Sequence, residues 1–133
     1  MPPISYDYAV IRVVPRVDRG EFINAGIVLA SARQGFLQSA LALDEPRLLA
    51  LDPTADVAAI SAALAVFQGV CEGGQRAGAL GRLSLRERFD WLVAPRSSSV
   101  QTSPVHSGRC QGGDLSVTLE HLVRRMVRTP AAS

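Results

Sequence analysis

Arg12, Arg16, Arg19, Gly20, Glu21 and Asn24 lie within one short stretch, RVVPRVDRGEFIN. Guanidinium groups that converge on a loop can hold a carboxylate or a phosphate through parallel N–H donors. Gly20 can take a positive φ and turn its own N–H toward the same anion. A plainer chemistry uses the same residues: Arg16 and Arg19 pair with Asp18 and Glu21, and the loop is merely soluble. Both readings stay open at this level. Arg12 discriminates between them, because a charge inside a strand needs a partner wherever it is covered. Glu21 and Asn24 are its nearest candidates.

Other chemistry is thinner. Cys71, His106, Cys110 and His121 are the thiol and imidazole groups of the chain. His106 and Cys110 have chelating spacing but the other two are scattered, so no metal and no cofactor are expected. The cysteines form no CxxC pair and read as reduced thiols. Cys110 beside a histidine lacks a third group to orient the base. Asp18 and Glu21 stand among arginines that hold them ionised, the wrong direction for a general acid. All 14 basic residues are arginine. Without lysine, a Walker-type phosphate loop, a Schiff base and a Ser-Lys dyad are excluded. No catalytic residue is assigned.

The arginine-bearing loop must be held by what flanks it. Ser5 to Val14 and Phe22 to Ala30 are Val- and Ile-rich runs bounded by proline and glycine, and they read as the strands of a hairpin. Gly35 suits a turn at Ala32 to Gly35. Phe36 to Leu43 follows as a third strand with Leu37, Leu41 and Leu43 inward. Asp44 to Leu51 holds one or two helical turns. Asp52 or Thr54 then caps a helix, with Pro53 in its first turn. Val57, Ile60, Leu64, Phe67 and Val70 recur at helical spacing to Cys71, and Gly73-Gly74 stops the run. Gln75 to Leu83 is a Gly-rich loop without the phosphate-loop motif.

Ser84-Leu85-Arg86-Glu87 is a capping box that opens a helix through Val93. Val100 to Val105 reads as an edge strand despite Pro104. Asp114 caps a last helix to Arg128, with Leu115, Leu119, Leu122 and Met126 as its stripe. Arg124, Arg125 and Arg128 complement the dipole at its end. Thr129 to Ser133 reads as a frayed tail.

Strand parity predicts what each hairpin face carries. Ala9, Ile11 and Val13 should share a face with Ile23, Ala25, Ile27 and Leu29, because a one-residue slip would turn one set to solvent. Arg12 and Asn24 then share the other face near the loop. Tyr6, Tyr8, Val10, Val14, Phe22 and Val28 make that even face apolar, so a helix or a partner should cover it.

Composition bounds the rest. A chain of 133 residues with 47% hydrophobic and 20% charged residues suits one folded domain, residues 1–133. A net charge of +2 is too small to mark a nucleic-acid binder. The basic segment HLVRRMVR has no interleaved aromatics, and nucleic-acid binding is not expected. No apolar run of the roughly 18 residues that span a bilayer is evident. No leader is read at the N-terminus, so a cytoplasmic location without membrane contact is expected.

The segment YDYAVIRVVPRVDRGEFINAGIVL resembles the start of the bacterial DUF3037 family. Members open with a similar strand, an R-x-x-P step and an RGE[F]-x-N-x-G-[IV] second strand. Here those positions are Arg12, Pro15, Arg19, Gly20, Glu21, Asn24 and Gly26. The family's later pattern, a Pro-containing segment before a final amphipathic helix, resembles Val100 to Val127. The resemblance implies no activity. It implies an accessory role beside kinase-like proteins of the HipA type, which such members often neighbour.

The expected molecule is a single α+β domain. A small antiparallel sheet leads with a three-stranded β-meander, and about three helices pack on it. The favoured function is a non-enzymatic binding or accessory module acting on another protein. Its contact surface would be the apolar even face together with Arg12, Arg16, Arg19, Gly20, Glu21 and Asn24. The alternatives are an enzyme or enzyme component binding a phosphorylated or carboxylated small ligand at the same tip, and, more weakly, nucleic-acid binding. A homo-oligomer stays open.

Overall fold

The computed structural model describes residues 2–129. Residues 130–133, most of the tail expected to fray, lie outside the described residues. Thr129 itself is held, its hydroxyl donating to Asp44 Oδ2 at 3.1 Å. The chain is α+β. Strands β1 (Pro3–Val13), β2 (Ile23–Ser31) and β3 (Phe36–Leu41) form the expected antiparallel meander. Helices α1 (Glu45–Leu51), α2 (Val57–Glu72) and α3 (Leu85–Val93) follow. Strands β4 (Val100–Thr102) and β5 (His106–Gln111) then precede helix α4 (Leu115–Met126).

The central strand is β1. From Ala9 onward its Val- and Ile-rich sequence is largely buried, and it pairs with β2 along one side and with both β4 and β5 along the other. Between β4 and β5 stands Pro104, which has no N–H for the ladder. Ser103 fills the gap: its hydroxyl oxygen accepts from Val10 N–H at 2.9 Å, and its own N–H donates to Val10 O at 2.8 Å. The expected edge strand Val100–Val105 therefore shortens to β4. The segment HSGRCQ of β5 was not expected, since it has no apolar alternation. It is a strand because β1 offers its backbone a ladder.

A β-bulge overturns half of the parity expectation. From Asp7 to Ile11, β1 faces Ala30 to Gly26; beyond it, Arg12 faces Asn24 and Val13 faces Ile23, which leaves Ala25 as the extra residue. The extra residue flips every side chain that follows. Ile23 and Ala25 share a core with Ala9, Ile11 and Val13 as expected, but the residues that continue that face are Val28 and Ala30. Ile27 and Leu29 point the other way, beside Val10. Gly26 sits at the switch because a Cβ there would meet Ala40 O at 2.7 Å and Leu41 Cδ2 at 3.0 Å.

Helices cover both sheet faces. Leu48 of α1, Ile60, Leu64, Phe67 and Val70 of α2, and Phe89 and Leu92 of α3 pack on one. Phe67 and Phe89 are almost wholly buried there, each worth roughly 1.5–3 kcal/mol by area removed from water. On the other face lies α4, through Leu115, Leu119, Leu122 and Val123. Of the expected even face, Tyr6, Tyr8 and Val10 lie under the chain's own last helix, Val28 belongs to the opposite core, and Phe22 stays exposed.

Among the described residues there are four α-helices where about three were expected. Asp52 separates α1 from α2: its carboxylate accepts from Thr54 N at 3.0 Å and Thr54 Oγ1 at 2.8 Å, a side-chain turn that stops helical continuation. Neither Asp52 nor Thr54 caps α2. Asp56 does, accepting from Ala59 N at 3.0 Å. The capping box at Ser84 and Glu87 forms as read. The Gly-rich loop winds into 3₁₀ turns over Gln75–Arg82, kinked at Gly78. Counted across Gly73-Gly74, Val57–Arg82 is long and apolar enough to cross a membrane by length and composition, contrary to expectation. In the fold, Ile60, Leu64, Phe67 and Val70 of that run face the sheet.

Candidate functional site

Pro15 ends β1, and Val14 N–H leaves the hairpin to donate to Ser99 O at 2.7 Å. The tip then closes on itself. Arg19 N and Gly20 N both donate to Arg16 O, at 3.0 and 3.2 Å. Gly20 has φ 73° and nothing within 4 Å of where a Cβ would stand, so the turn needs its conformation rather than its small size. Its N–H is spent inside the turn and does not face an anion, contrary to expectation.

The six residues singled out by sequence fall into three places rather than one. Arg19 Nε and Glu21 Oε1 pair at 2.5 Å, both exposed, and such a pair adds little stability. Arg16 turns away from Asp18 and donates to Asp52 Oδ1 at 3.2 Å. The Thr54 hydroxyl, the Thr54 N–H and Arg16 hold the Asp52 carboxyl below the ordinary carboxylate range. Asp52 borders an open cleft of about 440 Å³ floored by Ala55, Ala59, Ile60 and Val100. No arginine lines it among the described residues.

Arg12 and Asn24 form the third place. They are direct cross-strand partners on the face that carries α4, with Gln101 of β4 on Arg12's other side. Asn24 Nδ2 donates to Met126 O at 2.8 Å and so satisfies a carbonyl at the end of α4. Asn24 Oδ1 and Arg12 Nε are both buried and have no hydrogen-bond partner among the described residues. Neither Glu21 nor Asn24 is hydrogen-bonded to Arg12. Its guanidinium carbon lies 4.2 Å from the centroid of the Phe22 ring, a cation–π contact of roughly 0.5–2 kcal/mol. Phe22 is 44% exposed, and Val17 stands exposed at the same tip.

Phe22, Asp52, Gln101 and Met126 are the neighbours that sequence reasoning missed. Strand parity puts Phe22 on a face expected to be covered, yet it is exposed. Asp52 and Met126 come from far along the chain, and no spacing points to them.

The thiols and imidazoles do not assemble. Cys110 Sγ accepts from Thr118 Oγ1 at 3.3 Å, His106 lies against the Tyr8 ring at 5.4 Å, and burial pushes the Cys71 thiol up to about 11. Among the described residues no three metal-ligating side chains come together.

These features define a small α+β domain whose first hairpin is enclosed on both faces and free at its end. The profile of a family described as "Protein of unknown function (DUF3037)" matches residues 8–127, and the chain belongs to that family. No curated protein and no solved structure matches it. The family-like positions have readable physical roles in this chain. Pro15 ends a strand, Gly20 turns the tip, Glu21 pairs Arg19, Asn24 docks α4 and Gly26 lets the strands approach. Arg12 is the exception, because its buried Nε finds no hydrogen-bond acceptor among the described residues.

Proposed function

We propose that this chain is a non-enzymatic binding module that acts on another protein through its hairpin tip. One observation carries the reading: Val17 and Phe22 stand exposed at the tip although both faces of the hairpin behind them are packed under the chain's own helices. Apolar side chains ringed by arginine are a composition suited to a protein contact. The family resemblance makes a HipA-type kinase-like protein the first partner to try. A site for a phosphorylated or carboxylated small ligand would want free guanidinium groups over one cleft. Arg16 and Arg19 each already hold a carboxylate of this chain.

The test is affinity capture from the native cell with the full chain and with a Val17→Ser/Phe22→Ser variant. The wild type should retain one partner that the variant loses while its thermal unfolding is unchanged. Retention by both, or capture of none, overturns the reading.

A further inference from the structure

We propose that the hairpin tip and the basic end of α4 form one surface that takes an acidic, apolar-containing segment of a partner protein. This rests on the binding-module reading above and specifies its partner's chemistry. Asn24 and Met126 are 102 residues apart in the chain, and the 2.8 Å bond between them joins the two basic stretches into one region. Arg125 and Arg128 are exposed on either side of Met126 and Val127, and Arg128 lines a cleft with Ala42, Leu43 and Asp44 just past the end of β3. Among the described residues none of Arg12, Arg125 and Arg128 forms an ion pair.

The flank of α4 that bears Arg125 is fixed by Thr118, whose hydroxyl donates to Cys110 of β5. Seven residues make nearly two turns, so Arg125 stands on the same stripe, at the helix end bound by Asn24, where β4 rather than β5 flanks β1.

Charge bookkeeping at this end leaves a positive surplus. Glu21 and Asp52 are taken by Arg19 and Arg16. Asp44 caps α1 and accepts from Thr129. Asp44 keeps its charge, since both of these donors are neutral, so Asp18 and Asp44 stand against Arg12, Arg125 and Arg128. Carboxylates of an acidic segment match the guanidinium forks, and an apolar side chain matches exposed Phe22 and Val17.

A polypeptide fits better than a nucleic acid. Asp18 and Glu21 interrupt the arginines and would repel a continuous phosphate backbone. Phe22, the large aromatic exposed at the tip, already has Arg12 against its ring, which leaves a poor platform for stacked bases.

The test uses the full chain, a labelled peptide alternating glutamate with leucine, its lysine counterpart, and an oligothymidylate of equal charge, read by fluorescence anisotropy at low salt. The glutamate peptide should bind and the lysine peptide should not. Arg125→Glu with Arg128→Glu should weaken binding about tenfold or more, a loss of roughly 1.4 kcal/mol. Arg109→Glu, exposed on β5, should leave it unchanged. If the charge reversal unfolds the chain, Arg125→Gln with Arg128→Gln carries the same comparison. Absence of peptide binding, equal weakening by Arg109→Glu, or tighter binding of the oligothymidylate each overturns the inference. A native partner captured equally by wild type and by the Arg125/Arg128 variant overturns the acidic-segment inference while leaving the binding module standing. Capture of no partner overturns the module itself.

Discussion

The amide of Asn24 donates to the carbonyl of Met126 at 2.8 Å, tying the start of the second strand to the end of the last helix. That bond satisfies one of the helix-end carbonyls and fixes where α4 stops over the sheet. Asn24→Ala should therefore cost about 1–2 kcal/mol in denaturant unfolding. Asn24→Asp should cost more, because it sets a carboxylate against a carbonyl and against the negative end of the helix dipole. Equal stability of both variants with wild type would remove the role assigned to this bond.

Gly20 and Gly26 should respond differently to alanine. At Gly20 the strain is conformational only, about 1 kcal/mol, since φ is 73° and the surrounding space is empty. At Gly26 the new methyl would press on Ala40 O and Leu41 Cδ2, and overpacking of that kind costs roughly 1–3 kcal/mol. Thermal unfolding of the two variants should rank Gly26→Ala as the less stable.

Asp7 supplies a pH dependence with a definite sign. Hydrogen bonds from Arg86 at 2.6 Å and from Ser107 at 2.7 Å hold its carboxyl below the ordinary range. A group depressed on folding contributes stability that is complete above its unfolded pKa and is lost as pH falls through its folded pKa. Stability should accordingly decline as pH drops below about 4, the ordinary carboxylate value. In Arg86→Gln that decline should be shallower. An unchanged acid limb in the variant would show that Asp7 is not its source.

Cys71 should be slow toward thiol reagents in the folded protein. Burial pushes its thiol up to about 11, so almost no thiolate is present near neutral pH. Alkylation followed by mass analysis should label Cys71 more slowly in the folded chain than once denaturant unfolds it. Equal labelling rates in the folded and unfolded chain would contradict the raised thiol pKa.

Much of the architecture was legible in the sequence because its signals are local. Alternating Val and Ile runs with Gly35 at a turn gave the meander, helical spacing from Val57 to Val70 gave α2, and Ser84 with Glu87 gave the start of α3. The opposition of Arg12 and Asn24 was legible too, since both lie on the tip side of the bulge, where the parity is unbroken. Three things were decided by the tertiary structure. The bulge at Ala25 moves Ile27 and Leu29 to the other face, and a strict two-residue period carries no mark of an inserted residue. The polar segment His106–Gln111 becomes a strand through a backbone ladder on β1, which side-chain pattern does not encode. The partners of the arginines are the third. Asp52 draws Arg16 away, and Met126 brings the basic helix end to the hairpin, because packing α4 on one face and α1 and α2 on the other gathers distant residues at one end of the sheet.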